Sequence, residues 1–172
     1  MPPPSAAPDP DTGAVPPELA AALTAHAEAG DTATYGAALA ALADSRLLLA
    51  MVEVPADSLA EHDQGHDQGH GHGHGSTAMA AVSIQRGDGR RGLLAFTGLE
   101  PLARWDGTAR PLPVATREAA ESAVRDGAAA LLIDLAGPAR LVVEGDDLAA
   151  LAAGWTAGRV GEHGVWIRPT AE

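Results

Sequence analysis

Two short, dense apolar runs constrain this chain more than any other feature: residues 46–54 (Arg-Leu-Leu-Leu-Ala-Met-Val-Glu-Val) and residues 128–135 (Ala-Ala-Ala-Leu-Leu-Ile-Asp-Leu). Neither alternates apolar with polar residues, and each is of strand length, so each reads as a β-strand buried on both faces. Pro55 closes the first run, and Ala136-Gly137-Pro138 turns the chain after the second. A sheet with two buried faces needs helices to cover it.

The patterns around these runs supply helices. Leu19, Ala22, Leu23 and Ala27 recur at helical spacing, and Gly30 ends that segment. Asp31 or Thr32 is placed to cap a second helix running through Leu39 and Leu42. Ala80, Val82 and Ile84 alternate with polar neighbours, and the turn Gly87-Asp88-Gly89 leads back through Leu93 to Phe96, which predicts a hairpin. A short helix is expected over 100–105, and prolines keep 111–115 extended. Thr116 is placed to cap a helix over 117–126, with Glu118 in its first turn and Arg125 in its last, as the helix dipole favours. A strand over 140–144, a helix capped by Asp146, and a last strand over 164–168 follow. Interleaved helices and strands with tight turns predict an α/β (α+β) class chain: one domain, a mixed β-sheet with packed helices, spanning 17–168. Residues 1–16 are proline-rich and poor in large apolar side chains, and are expected to form a disordered tail; residues 169–172 form a C-terminal tail.

Aromatic residues make up only 3% of the chain, so Phe96, Trp105 and Trp166 are the large anchors among Leu, Val and Ala. All eleven basic residues are arginine against 23 acidic ones, for a net charge of −12. Along the sequence no arginine cluster is large enough to make a basic face, so neither nucleic acid nor an anionic membrane is an expected partner. Without cysteine, disulfides, thiolate metal sites and thiol nucleophiles are excluded. No basic and apolar leader and no apolar stretch of membrane-spanning length is visible, and the expected compartment is the cytoplasm.

The segments Arg46-Leu47-Leu48-Leu49, Leu94-Ala95-Phe96-Thr97, Ala103-Arg104-Trp105, Ala109-Arg110-Pro111-Leu112-Pro113-Val114 and Leu132-Ile133-Asp134-Leu135-Ala136-Gly137-Pro138 resemble the SseB protein N-terminal domain, in the form common in high-GC actinobacteria. The resemblance implies a fold. It brings two loose associations, serine sensitivity and type III secretion, and no assigned catalytic residue.

Candidate chemistry lies in a few places. The tract 62–75, His-Asp-Gln-Gly twice and then repeated His-Gly, inserts a His/Gly-rich loop at 56–76. Its imidazoles on His62, His66, His70, His72 and His74 suit Ni(II) or Zn(II), although its glycines offer nothing to orient the rings, and the pattern requires no cofactor. Arg86-Gly87-Asp88 matches an integrin-recognition tripeptide and also the residues a hairpin turn needs. Asp134 stands near the carboxyl end of a strand, where α/β sheets bind ligands, or serves the following turn or pairs with Arg104 or Arg110. Arg104 and Trp105 together form a candidate hot spot for a partner protein. Asp146-Asp147 reads as helix capping. No phosphate-binding loop, nucleophile elbow or zincin motif occurs. The leading expectation is a non-enzymatic cytoplasmic module acting through protein–protein interaction with an unknown partner at Arg104, Trp105 and Asp134. The alternatives are a metal-binding or storage protein using the histidine loop, and an enzyme with an unrecognised site.

Overall fold

The computed structural model describes residues 12–62, 75–161 and 163–170. Helices α1 (Pro17–Ala29) and α2 (Thr32–Ala43) come first, followed by strand β1 (Arg46–Pro55). Gly30 ends α1 in a left-handed conformation, and the Asp31 carboxylate accepts from the Thr34 backbone to cap α2. After a short 3-10 helix, Ala56–His62, come β2 (Thr77–Ala81), β3 (Ser83–Gln85) and β4 (Arg91–Phe96). Then follow α3 (Leu99–Trp105), β5 (Arg110–Ala115), α4 (Thr116–Arg125), β6 (Ala130–Ile133), β7 (Leu141–Glu144) and α5 (Gly145–Ala152). A hairpin of β8 (Thr156–Val160) and β9 (His163–Ile167) completes the chain as a separate two-stranded sheet.

The main sheet is mixed. β4 and β6 run parallel, joined by the α3–β5–α4 crossover, while β1 with β4 and β6 with β7 are antiparallel. β1 also takes β5 and β2 as antiparallel partners. The strand expected through Ala80, Val82 and Ile84 is split. Its first half pairs with β1 and its second with β4, and Val82 joins them by donating to Ala50 O (3.0 Å) and accepting from Leu94 N (2.9 Å).

Because side chains alternate along a strand, the apolar runs feed two cores. Leu47, Leu49, Leu93, Ala95, Leu131, Ile133, Leu141 and Val143 face one side and bury against α1, α2, α4 and α5. The α4 residues there are Ala119, Ala120 and Ala123, all fully buried, and their small side chains let the helix lie close to the sheet. Leu48, Ala50, Leu94 and Phe96 face the other side, where among the described helices the short α3 covers them, through Leu102 and Trp105. A seven-residue helix cannot cover a sheet this wide, and among the described residues Ile84 and Val142 on that face are exposed.

Several local expectations are revised. Thr116 does not cap α4: it is buried, its hydroxyl donates to Ser45 O (2.9 Å), and the Glu118 side chain accepts from Ala115 N instead (3.0 Å). β6 stops at Ile133, two residues short of the expected strand, because Asp134 turns to a positive φ of 50°. β8 is an additional strand, turned at Gly161 (φ 63°) into β9. Of the stretch expected as a tail, residues 1–11 lie outside the described residues; Gly13 O accepts from Leu99 N (2.8 Å) and Ala14 O from Arg46 Nη2 (2.8 Å), so the chain is tied to the domain ahead of α1. His66, His70, His72 and His74 also lie outside the described residues, and His62 closes the 3-10 helix.

Candidate functional site

The sequence singles out Arg104, Trp105 and Asp134. Asp134 follows β6, and Thr97 follows the parallel neighbour β4, so the two sit at adjacent carboxyl ends, the position where parallel strands usually offer ligand crevices. Their bonding points the other way. The Asp134 carboxylate accepts from Thr97 N (2.9 Å) and from Thr97 Oγ1 (2.6 Å), and both residues are buried. Burial pushes this carboxyl above its ordinary range, and the two Thr97 bonds hold it partway back. The backbone oxygen of Asp134 closes the turn by accepting from Gly137 N (2.8 Å). Asp134 thus makes no pair with Arg104 or Arg110, which bond Glu100 (2.6 Å) and Glu53 (3.4 Å) at the surface.

Arg104 and Asp134 do line one pocket with Thr97, Glu100 and Pro138, but it encloses only about 160 Å³. Ligand sites typically run to about 300–1,000 Å³. Trp105 is not part of it. Half-buried, it stacks obliquely on Phe96, ring centroids 5.7 Å apart, within the core on the α3 side of the sheet. The three residues therefore form no single surface.

A larger concavity lies on that α3-side face. Register explains it. Ile84, Gly92, Ala130 and Glu144 form one row across β3, β4, β6 and β7, and Leu94, Leu132 and Val142 form the next. Glycine and alanine at the centre of the first row leave a trough, and Leu132 leans into it: a Cβ on Gly92 would stand 2.6 Å from Leu132 Cδ1. The resulting groove has a volume of about 540 Å³, an apolar floor of Ile84, Leu132, Leu135 and Val142, and four arginines in its wall: Arg86, Arg90, Arg91 and Arg140.

Two of these arginines are occupied. Arg90 pairs with Asp88 (2.9 Å) in the hairpin turn, and Arg91 donates to Asp126 O at the end of α4. Neither Arg86 nor Arg140 makes a salt bridge with a described residue. Asp88 of the Arg86-Gly87-Asp88 tripeptide is committed to the turn, accepting from Arg90 N (3.0 Å) as well as Arg90 Nε. Folding brings four of the eleven arginines, with Glu144, to one groove of an acidic chain, a grouping the sequence reading does not contain. Positions 86, 90 and 91 lie close in sequence, which is a weak signal; Arg140 joins them only through the β6–β7 register.

The family model of the SseB protein N-terminal domain matches residues 19–150. The chain belongs to this family. The match takes in the whole arginine-walled groove and stops within α5, so the β8–β9 hairpin of this SseB domain lies beyond it. Neither curated proteins nor solved structures gave a match. Among the described residues, no group of three His, Asp or Glu side chains is placed to hold a metal ion, and no helix is long and apolar enough to cross a membrane.

Proposed function

We propose that this SseB domain is a non-enzymatic cytoplasmic module that acts through a partner protein seated in the arginine-walled groove. One observation carries the reading: an apolar floor, with Val142 41% and Ile84 36% exposed, flanked by four arginines of which Arg86 and Arg140 make no salt bridge with a described residue. Interface centres characteristically combine exposed apolar area with arginine. The buried carboxylate that an enzyme reading would use has both oxygens committed to Thr97. The cysteine-free composition is that of a chain needing no oxidising compartment. Trp105 belongs to this reading as support, since it packs on the same core as the floor residues Leu132 and Leu135.

The test is site-specific photo-crosslinking in cell extract, with the crosslinker at Val142 in the groove or at Val124, exposed on the helical side. The same protein captured from Val142 and not from Val124, and lost on Arg86→Glu/Arg140→Glu, is the expected result. Capture that is equal from the two positions, or absent, overturns the reading.

A further inference from the structure

The groove also carries information about what enters it. β7 ends the main sheet, and no described strand pairs with its outer edge. The opposite edge shows what a guarded strand looks like: β5 carries Pro111 and Pro113, which cannot donate to an added strand. β7 has no proline. Its groove-facing residues, with Arg140 just ahead of it, alternate Arg140, Val142, Glu144, so a strand laid beside it would set its own side chains against a cation, an apolar surface and an anion in turn. Arg140 lies in the groove wall without a salt bridge to a described residue, although the chain carries about twice as many acidic residues as basic ones. That imbalance makes an anionic occupant the complementary one.

Resting on the partner-protein reading above, we infer that the β7 border of the groove takes an extended segment of the partner, added as a strand along β7, with a carboxylate beside Arg140, an apolar side chain beside Val142 and a neutral or basic residue beside Glu144. Main-chain bonds to the β7 edge supply attachment, Val142 takes the apolar side chain, and Arg140 selects charge. Glu144 sets polarity by repelling a carboxylate at its end of the strand and favouring a neutral or basic residue there.

The experiment uses the full chain and fluorescence anisotropy with labelled peptides in which every second residue runs Glu, Val, Thr, with Ser between them, so that those three side chains share one face of the added strand. Control peptides carry Gln or Lys in place of Glu, or N-methyl groups on alternate amides along one edge or the other. The Glu peptide should bind about threefold more tightly than the Gln peptide at low salt, since one partly exposed charge pair supplies roughly that much. The preference should shrink at 0.5 M salt, on the order of a 4 Å Debye length. Methylation on one peptide edge, and not the other, should abolish binding. Arg140→Glu should prefer the Lys peptide, and because Arg140 lies outside the buried core the variant should keep the wild-type melting temperature. Equal binding of Glu and Gln peptides, indifference to methylation on either edge, or full displacement by inorganic phosphate at matched ionic strength overturns the inference. Should Val142 crosslink a partner while the peptides show no charge or edge preference, this inference falls and the partner-protein reading stands. Should the peptides discriminate while no partner crosslinks, the segment chemistry stands and the partner-protein reading falls.

Discussion

Asp134 combines three costs that a surface aspartate avoids: burial, a positive φ and an ionised carboxyl with a single bonding partner residue. The left-handed backbone is tolerable because Asp, like Asn, can occupy it. The carboxylate is tolerable because Thr97 meets both oxygens. Removing the hydroxyl by Thr97→Val leaves Oδ2 buried without a donor, which should cost about 1–3 kcal/mol in denaturant unfolding. Asp134→Asn should be milder: its amide can still accept from Thr97 N and donate to Thr97 Oγ1, and Asn keeps the left-handed turn. Burial raises the Asp134 carboxyl in the folded chain above its unfolded value near 3.8. Stability from this group is therefore fully present below that value and is lost as pH rises through the raised folded value. Asp134→Asn should flatten that part of the stability profile, which denaturation at a series of pH values from 4 to 7 will show. An unchanged slope would mean that the carboxyl does not titrate in the raised range. The sequence places Asp134 at a strand end, but its partner is 37 positions away, and only the parallel β4–β6 register brings Thr97 to it.

At the scale of elements, the parts legible in sequence are those whose own side chains specify them. α1 and α2 carry helical spacing with a glycine stop and an aspartate cap, and β1, β4 and β6 each hold an unbroken apolar run of at least four residues. β8 was illegible because Thr-Ala-Gly-Arg-Val has neither an apolar run nor a clean alternation. What holds it is elsewhere. Asp147, which from sequence reads as a helix cap, accepts from Tyr35 Oη (3.0 Å) on α2 and from Trp166 Nε1 (2.8 Å) on β9. Burial and the neighbouring Asp147 charge push the Tyr35 hydroxyl well above its ordinary range, keeping it a donor at any physiological pH. An isolated two-stranded hairpin is marginal in water, so β8–β9 depends on this anchor and on Ala157 and Trp166 packing on the helical core. Asp147→Ala removes the acceptor for two half-buried donors and should cost about 2 kcal/mol, felt locally. Hydrogen exchange should accelerate by at least about tenfold in β8 and β9 and stay unchanged in β4 and β6. Acceleration spread evenly over all strands would show that the hairpin unfolds only with the whole domain. The groove is illegible for a related reason: its shape depends on Gly92 standing beside Ala130, a fact of register, and its charge on arginines contributed by separate elements.

For the whole molecule, the question is whether the histidine tract belongs to the domain or hangs from it. The described ends answer in part. β1 and β2 are antiparallel through Pro55 and Thr77, and Ala56 N donates to Ser76 O (2.9 Å), so the ladder continues to the point where the tract leaves and re-enters. Chain between two ends already held by a ladder contributes mainly closure entropy, which changes by only about 0.6 kcal/mol per doubling of length. Deleting residues 63–74 should therefore leave the metal-free protein as stable or slightly more so, a rise in melting temperature of no more than about 4 °C for a domain of this size. The same deletion removes four of the five tract imidazoles, and Ni(II) or Zn(II) binding followed by titration calorimetry should disappear. In the full chain, that binding should weaken as pH falls through about 6.5, because a protonated imidazole cannot ligate. Saturating Ni(II) should leave the peptide affinity of the groove unchanged, since the tract springs from the β1–β2 end and the groove lies on β3, β4, β6 and β7. A fall in melting temperature of more than about 5 °C on deletion would show that the tract packs against the domain. A change of tenfold or more in peptide affinity on Ni(II) addition would couple tract and groove by about 1.4 kcal/mol and make the metal a regulator of docking.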